Sequence, residues 1–445
     1  MQARESKRMA IIYYFFSPPA PIPAKYRENF RHLFFDIAWF GILNGSSLSF
    51  LSVYATRLGA SGFQVGMLGA VPAIMSLALA IPASRYLQRT PIDKAVFKTA
   101  VYFRLGYLLW IPLPWLLNDA QQVWALIFII FIMGIPGTAL AVGFNALFAE
   151  AVPPEWRAYV AGIRNMMLSI TFVLTSLIAG WLLDTIPFPL GYQIVFGLGF
   201  LGAAMSSYHL YHVRPILPTN APRPASRIGD RARPGMFRLL GDSNRPSIGL
   251  RLLTRDTWRK LLRTDILRSP FLHVLVVLLL FHLGQYLALP LFPIYYVRGL
   301  GLNDQQIGIG QAVFYSLVLL GSMQLARLSQ RFSHKTIFGV SAVLMGIYPM
   351  LLAYAHTFPA FIGISVWGGA VWAMTGGAMP NYLLEKIPTD DRPAHLAWYN
   401  IVFNGAVLTG SLLGPLLADI RGLTEALLLF AILRILAGAA VLKWG

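Results

Sequence analysis

Four ionisable residues lie inside long apolar stretches of the sequence, where they could carry a charge or a proton: Asp36, Arg104, His282 and Arg434. Such groups are costly at membrane depth, so a functional role is the first interpretation to test. Asp36 is the candidate proton carrier, because burial and a nearby cation shift a carboxyl pKa in opposite directions. Arg104 is its candidate partner, since an unpaired buried arginine is unfavourable.

Each of these residues also has a simpler interpretation. Asp36 follows His32 by about one helical turn and could reach the membrane surface. His282 can change its charge near neutral pH, which suits proton coupling, although a lone histidine in a membrane is more often a neutral hydrogen-bond partner. Arg434 is expected to extend toward the membrane surface or to pair with a neighbour.

A second set of residues combines amide, hydroxyl and aromatic groups near the middle of the predicted helices. It comprises Asn44, Ser47, Gln285, Tyr286, Trp372, Asn400 and Asn404. Such groups suit a neutral or amphipathic organic solute that is held by a few hydrogen bonds and ring contacts. The alternative is that the amide and hydroxyl groups join helices to one another.

The sequence lacks the residues and motifs that several other kinds of site require. The chain has no cysteine, which excludes disulfides, iron–sulfur clusters and thiolate metal sites. It also lacks a Gly-x-x-x-x-Gly-Lys-Ser/Thr phosphate loop, a His-Glu-x-x-His motif and a Gly-x-Ser-x-Gly motif. The sequence therefore predicts no cofactor, no metal site and no enzymatic activity.

The composition shows which elements must hold these residues. Hydrophobic residues make up 56% of the chain and charged residues 12%, and the mean hydropathy is +0.60, which indicates a membrane protein. Apolar runs long enough to span a bilayer predict twelve transmembrane helices. Their approximate ranges are 32–55, 64–85, 95–117, 122–149, 159–183, 189–212, 270–297, 305–327, 335–355, 359–385, 395–419 and 424–443.

The net charge is +18, but the basic residues are distributed according to the orientation of the spans, so the charge does not predict a nucleic-acid partner. The alternation of the spans assigns most basic loop residues to one side: Arg85, Arg89, Lys94, Lys98, Arg157, Arg327, Arg331, Lys335, Lys386 and Arg392. The opposite side keeps Arg57, Arg298 and Arg421. This asymmetry predicts a multi-pass protein of the cytoplasmic membrane with both termini in the cytoplasm. The stretch from Arg4 to Phe16 imitates a signal peptide, but we interpret it as an uncleaved tail.

The domain organisation follows from the spans. We expect a cytoplasmic tail at 1–31, a first six-helix bundle at 32–212, a basic cytoplasmic linker at 213–269 and a second bundle at 270–445. Within the linker, Asp256 to Arg268 has the pattern of an amphipathic helix that would contact anionic lipid. A solvated linker is the alternative. The protein is expected to be a monomer.

The two predicted bundles share a sequence repeat. At an offset of 235 residues the repeated residues are Glu150, Pro153, Arg157, Asn165, Ser176 and Asp184 with Glu385, Pro388, Arg392, Asn400, Ser411 and Asp419. At an offset of 242 residues they are Tyr54, Gly59, Gln64, Gly66, Arg85 and Arg89 with Tyr296, Gly301, Gln306, Gly308, Arg327 and Arg331. The second offset also aligns Asn44 with Tyr286 and Phe40 with His282.

Repeated charges at the cytoplasmic ends of the spans are candidates for gating. They are Arg85, Arg89, Glu150, Arg157, Arg327, Arg331, Glu385 and Arg392. Acidic and basic pairs in which Glu150 joins Arg157 and Glu385 joins Arg392 could form and break between two conformations. Anchoring of the loops is the alternative, because surface ion pairs contribute little.

The sequence resembles the major facilitator superfamily of secondary transporters. The similarity rests on twelve spans, a long central loop and a repeated Glu-x-x-Pro-x-x-x-Arg motif at Glu150 and Glu385. The loop after span two retains Arg85 and Arg89 of the family's basic motif, while Ser84 replaces its usual aspartate. The resemblance implies an all-α protein of two six-helix bundles related by pseudo-twofold symmetry. It also implies proton-coupled transport of a small organic solute by alternating access. The alternatives are an uncoupled facilitator and a membrane sensor or assembly factor without transport.

Overall fold

The computed structural model describes residues 21–216, 263–388 and 391–445, and these residues form helices joined by short loops. The signal-like stretch Arg4 to Phe16 and residues 217–262 of the predicted linker lie outside the described residues. The predicted amphipathic helix is therefore described only from residue 263, where Thr264–Arg268 forms a short 3₁₀ helix.

Twelve long helices account for almost all of the described chain. In chain order they are α1 Ala24–Arg57, α2 Gly62–Arg89, α3 Ile92–Trp110, α4 Asp119–Ala151, α5 Pro154–Thr185, α6 Leu190–His212, α7 Phe271–Gly299, α8 Asp304–Leu328, α9 His334–Ala353, α10 Phe358–Lys386, α11 Arg392–Arg421 and α12 Leu423–Trp444. A separate helical turn, Leu113–Leu116, follows α3.

Twelve long helices were predicted and are found, and eleven of them qualify as membrane spans by length and hydropathy, while some helix ends differ from the prediction. Apart from α3, which carries Asp93, Lys94, Lys98 and Arg104, the helices are long and apolar enough to span a membrane. Helix α1 begins at Ala24, well before the predicted start, because hydropathy does not detect a polar helical turn that precedes the apolar segment. The protein is therefore a multi-pass membrane protein.

The packing of the first six helices recurs in the last six. The pairs α1·α6, α1·α5, α2·α4, α3·α4 and α3·α6 correspond to α7·α12, α7·α11, α8·α10, α9·α10 and α9·α12. This correspondence confirms two six-helix bundles with pseudo-twofold symmetry. Most consecutive helices are not the main packing neighbours, although the loops between them are short. In lipid, close packing follows the complementary faces of helices and not their order in the chain.

Several repeated residues have a direct structural reason. Gly59 and Gly301 have φ values of +84° and +62°, a conformation that favours glycine at the turns before α2 and α8. Gln64 and Gln306 complete capping boxes at the starts of the same two helices. The repeat therefore preserves the two turns that start α2 and α8.

The halves meet through two helix pairs, α2 with α11 and α5 with α8. A Cβ atom on Gly66 of α2 would collide with the carbonyl oxygen of Ser411 on α11. A Cβ atom on Gly308 of α8 would lie 2.6 Å from the carbonyl oxygen of Ser176 on α5. Gly66 is equivalent to Gly308, and Ser411 is equivalent to Ser176, so the same close contact occurs at both helix pairs. Both lie near the membrane surface that carries Arg57, and we call this end of the molecule the closed end.

This packing predicts that a methyl group at either glycine destabilises the protein. Gly66→Ala and Gly308→Ala should each lower the free energy of unfolding by about 1–3 kcal/mol, because the interface is already in close contact. Thermal unfolding of the purified protein in detergent measures this effect. Gly405→Ala on α11 is the matched control, since a Cβ atom there meets no atom within 4 Å. A control as unstable as the two variants would contradict the prediction.

Candidate functional site

The first helix of each half departs from α-helical geometry in the middle of the membrane. In α1, residues Asn44–Leu48 form a π-helical turn. In α7, the α-helix ends at Ala288 and resumes at Leu291 after Pro290. The offset of 242 residues places Asn44–Leu48 on residues 286–290, so the two irregular segments are equivalent. Irregular backbone at this depth occurs only against protein or a water-filled cavity.

Side chains add hydrogen bonds to the backbone at these segments, and the donors differ between the two halves. In α1, Asn44 Nδ2 donates to the carbonyl of Phe40 at 2.8 Å, and Ser49 Oγ donates to the carbonyl of Asn44 at 2.6 Å. In α7, the donor is Arg434 of α12, which reaches the carbonyls of Gly284 at 3.1 Å and Gln285 at 3.0 Å. Arg434 therefore pairs with its neighbour and does not extend to the surface.

The structure separates the predicted solute-binding residues into two groups. Asn44, Tyr286 and Trp372 are half-buried, whereas Ser47, Gln285, Asn400 and Asn404 are buried. Ser47 Oγ lies 3.4 Å from the carbonyl of Val195 on α6, so this hydroxyl faces the inside of the first half. The amides of Asn400 and Asn404 donate to carbonyls one turn earlier on α11.

Tyr286, one of the predicted solute contacts, lies between α7 and α11. Its ring packs edge-on against Phe403 of α11, with the ring centroids 5.8 Å apart. Its side chain is half-buried, and so is the side chain of Tyr315 on α8.

A polar and aromatic group lies where α5 and α8 cross, and its residues were not among the predicted site residues. The rings of Phe172 and Tyr315 lie 4.0 Å apart and join the two halves. One turn earlier, Gln311 Nε2 donates to the carbonyl of Ser49 at 3.4 Å, while its Oε1 is buried without a partner. The offset of 242 residues aligns Gln311 and Tyr315 with Gly69 and Ala73, so their polarity is not repeated. This difference between the halves is the sequence feature that could have identified Gln311 and Tyr315 as candidate site residues.

Asp36 is buried at 2% exposure and binds two cations and a hydroxyl. Arg164 Nη1 donates to Asp36 Oδ2 at 3.0 Å, and Ser206 Oγ donates to Asp36 Oδ1 at 2.5 Å. Arg104, the predicted partner, lies 3.8 Å from Asp36 Oδ1 and donates to Ser207 at 2.9 Å. The network joins helices α1, α3, α5 and α6.

Arg164 was missed as the nearer cation because its place five residues into a predicted span resembled a membrane-surface position. Its equivalent at an offset of 235 residues is Tyr399 on α11. Tyr399 is hydrogen-bonded to His282 Nε2 at 3.1 Å. Each half therefore links its first helix to its fifth through a polar pair, ionic in one half and hydrogen-bonded in the other.

His282 has mainly aromatic surroundings. Apart from Tyr399, its ring contacts Phe281 and Phe403, with centroid distances of 5.1 and 4.8 Å. Among the described residues it has no acidic partner within ion-pair distance. These contacts match those of a hydrogen-bond partner between α7 and α11.

The predicted gating residues lie at the other end of the molecule from the closed end. Arg157 donates to the carbonyls of Val152 and Ala149, and Glu385 is paired with His334 at 2.6 Å. Arg85, Arg89, Arg327, Arg331 and Arg392 are exposed. The contacts described for Arg157 and Glu385 stay within their own halves.

At the closed end, arginines cross between the halves in both directions. Arg57 Nη2 donates to the carbonyl of Leu302 at 2.8 Å and to Asp304 Oδ1 at 2.9 Å. Arg298 Nη2 donates to the carbonyl of Ala60 at 2.5 Å. Ala60 and Leu302 are equivalent at the offset of 242 residues. This reciprocal arrangement, which we call the arginine clamp, was not among the predicted gating residues.

Comparison with known proteins gives a consistent result for family and fold. The model of the Major Facilitator Superfamily matches residues 33–283 and 274–445. A cis,cis-muconate transport protein of Acinetobacter baylyi (strain ATCC 33305 / BD413 / ADP1) is 19% identical over 278 residues, or 62% of this chain. The match spans 61% of the length of that relative.

Solved structures with this fold have low sequence identity to the chain. A mutant of the nucleoside transporter NupG has a TM-score of 0.66 at 13% identity, covering 93% of this chain and 99% of its own. A bacterial homologue of the iron transporter ferroportin, in an inward-facing state, has a TM-score of 0.67 at 15% identity, with 93% and 98% coverage. The xylose transporter XylE from E. coli, in a partially occluded inward open conformation, has a TM-score of 0.64 at 14% identity, with 94% and 97% coverage.

The Asp36 network predicts strong coupling between two buried residues. Asp36→Asn should lower the free energy of unfolding by about 3–5 kcal/mol, because two arginines then stay buried without their carboxylate. Arg164→Gln should lower it less, because Arg104 still lies 3.8 Å from Asp36. The double variant should lose less than the sum, with a coupling of about 0.5–3 kcal/mol. Chemical unfolding in detergent measures this cycle.

The surface pair of Arg214 and Asp93 is the control for that cycle, since the Arg214 side chain is 54% exposed. Asp93→Asn should change the free energy of unfolding by no more than about 1 kcal/mol. Strict additivity of the Asp36 and Arg164 variants would show that the two residues do not stabilise each other.

Proposed function

The chain belongs to the major facilitator superfamily, and on this premise we propose that it carries a small organic solute across the cytoplasmic membrane by alternating access. The observation that carries the proposal is the distribution of contacts between the halves. The glycine contacts of α2 and α8 and the arginine clamp gather at the closed end. A molecule closed at one end can expose a central site at the other, as alternating access requires.

The closed end is assigned to the outside by the distribution of basic residues. Arg57 and Arg298 lie on the side with few basic residues, and the exposed Arg85 and Arg327 lie on the side with many. This assignment makes the described conformation inward-facing and both termini cytoplasmic. Gating by the predicted cytoplasmic charges would then require the opposite conformation, in which those ends approach each other.

The solute would bind between the two halves at the depth of the irregular segments of α1 and α7. Asn44 belongs to the segment of α1, Tyr286 lies just before the interruption of α7, and Gln311 and Tyr315 add polar groups from α8. Trp372 of α10 remains a candidate ring contact. The first solute to test is cis,cis-muconate, because one weakly similar relative is named as its transport protein. Other small organic acids, nucleosides and sugars complete the panel.

Proton coupling would involve Asp36, with His282 as the second candidate. Asp36 cannot accept a proton on Oδ2 without giving up its charged hydrogen bond to Arg164. Because Asp36 is on α1 and Arg164 on α5, proton uptake would loosen the contact between these helices. Arg104 would keep its hydrogen bond to Ser207. This link between a proton and helix packing is what a coupled transporter requires.

A disulfide across the closed end tests the proposed motion. A Cβ atom on Gly69 would lie 3.8 Å from Ser411 Cβ, within the range of about 3.5–4.5 Å that disulfides need. The natural chain has no cysteine, so Gly69→Cys with Ser411→Cys introduces a single pair. Oxidation should abolish solute counterflow in proteoliposomes, and reduction should restore it.

The same protein provides the control for that experiment, because the oxidised and reduced forms differ only in the disulfide. Gly69→Cys alone should be insensitive to oxidant. Normal counterflow through the fully oxidised double variant would refute alternating access at this end. If no solute on the panel exchanges through the natural protein, the proposed transport of these solutes is wrong.

A neutral residue at position 36 tests proton coupling. Asp36→Asn should abolish uptake driven by a pH gradient but retain counterflow, because an amide imitates the protonated carboxyl while exchange needs no net proton movement. Both rates are measured in proteoliposomes across a range of pH. His282→Gln tests the second candidate in the same way. An unchanged rate and pH dependence in Asp36→Asn would exclude Asp36 as the proton carrier.

A further inference from the structure

A cavity of about 380 Å³ lies at the closed end, between the end of α5 and the start of α8, and we call it the α5–α8 crevice. Residues of both halves line it, including Asp184 and Tyr192 from the first half and Asn303 and Asp304 from the second. Its volume falls in the range of small-molecule sites, roughly 300–1,000 Å³. It is separate from the proposed solute site in the middle of the membrane.

Pseudo-symmetry provides an internal comparison for this crevice. The equivalent space between α11 and α2 has a volume of only about 60 Å³ and is lined by Gly62, Arg298 and Asp419 among others. The repeat aligns Asp184 with Asp419, and Asp304 with Gly62. The α5–α8 crevice thus has two carboxylates and one arginine, whereas the smaller space has one of each. Only the larger crevice has an excess negative charge.

The two carboxylates of the crevice are in different situations. Asp304 is buried and forms its ion pair with Arg57. Asp184 is exposed, and among the described residues it makes no hydrogen bond or ion pair. Both carboxylates line the same crevice. The negative charge of Asp184 is therefore available to a ligand.

Aromatic rings form the apolar part of the crevice. Phe188 is 49% exposed, and its ring lies 5.8 Å from that of Tyr192 in an edge arrangement. The hydroxyl of Tyr192 is buried beside Asp304 and has no hydrogen-bond partner of ordinary geometry. A carboxylate beside aromatic rings is the combination that binds ammonium groups, because both attract a weakly hydrated cation.

We propose that the α5–α8 crevice binds a small organic cation with an ammonium group, held by Asp184 and the ring of Phe188. A bound metal ion fits less well, since the described residues contain no group of three acidic or histidine ligands. Both halves line the crevice, so a ligand there stabilises the conformation in which the closed end is assembled. This consequence rests on the proposed function, but the binding itself does not.

Thermal unfolding of the purified full chain tests binding, with tetramethylammonium chloride as the probe and sodium chloride at equal ionic strength as the reference. Tetramethylammonium should raise the unfolding temperature in a saturable way. Asp184→Asn should weaken the apparent affinity about tenfold or more, because the ligand loses its charged partner. Asp184 is exposed, so this variant should fold.

Two further variants distinguish the site from a general salt effect. Asp419→Asn, at the equivalent position in the smaller space, should leave the affinity for tetramethylammonium unchanged. Phe188→Leu keeps an apolar side chain but removes the ring, and it should weaken binding. The proposal is wrong if the natural protein shows no saturable shift, or if Asp184→Asn and Asp419→Asn behave alike. It is also wrong if calcium chloride stabilises the protein through Asp184 while tetramethylammonium does not.

The predicted effect on conformation has its own experiment. The oxidised variant with Gly69→Cys and Ser411→Cys, whose closed end is fixed, should bind tetramethylammonium at least as tightly as the reduced form. Weaker binding after oxidation would overturn the link to the closed conformation. Neither measurement needs a transported solute. A failure of the transport proposal would therefore leave these binding results interpretable.

Discussion

Every backbone N–H and C=O group in the lipid needs a hydrogen-bond partner inside the protein, and this constraint shapes the two irregular segments of the molecule. Ten of the twelve long helices satisfy it without a comparable interruption. In α1 the side chains of Asn44 and Ser49 supply the extra hydrogen bonds locally. In α7, Pro290 has no N–H to donate, and Arg434 of a neighbouring helix adds hydrogen bonds to the carbonyls of Gly284 and Gln285, which lie just before the interruption.

The two irregular segments differ in the residue that the sixth helix of each half places beside them. The offset of 235 residues aligns Arg434 of α12 with Gly199 of α6. A Cβ atom on Gly199 would collide with Ser47, so the absence of a side chain lets α1 approach α6 closely. An arginine takes the same place in the second half. Equivalent backbone irregularities are thus held by close packing in one half and by a buried cation in the other.

The sequence predicts features that depend on a single segment or residue, but it does not predict which helices pack together. Hydropathy predicts most of the spans, because a segment that crosses the lipid must be apolar along most of its length. The repeat indicates Gly59, Gln64 and Gly66 as structural positions, since turn, cap and close contact depend on one residue type each. The partner of Asp36 could not be chosen in this way. Arg164 becomes the neighbour of Asp36 only because α1 packs against α5. The lengths and sequences of the loops do not predict which helices pack together.

The arginine clamp has a consequence for how this protein can change during evolution. Two of its acceptors, at Ala60 and Leu302, are backbone carbonyls, which every amino acid possesses. Replacing either side chain leaves the acceptor atom in place. Sequence drift at these positions can therefore proceed without loss of the hydrogen bonds, provided that the turns keep their shape. Mutagenesis of side chains would identify the two arginines, but it would not identify the positions whose backbone carbonyls accept their hydrogen bonds.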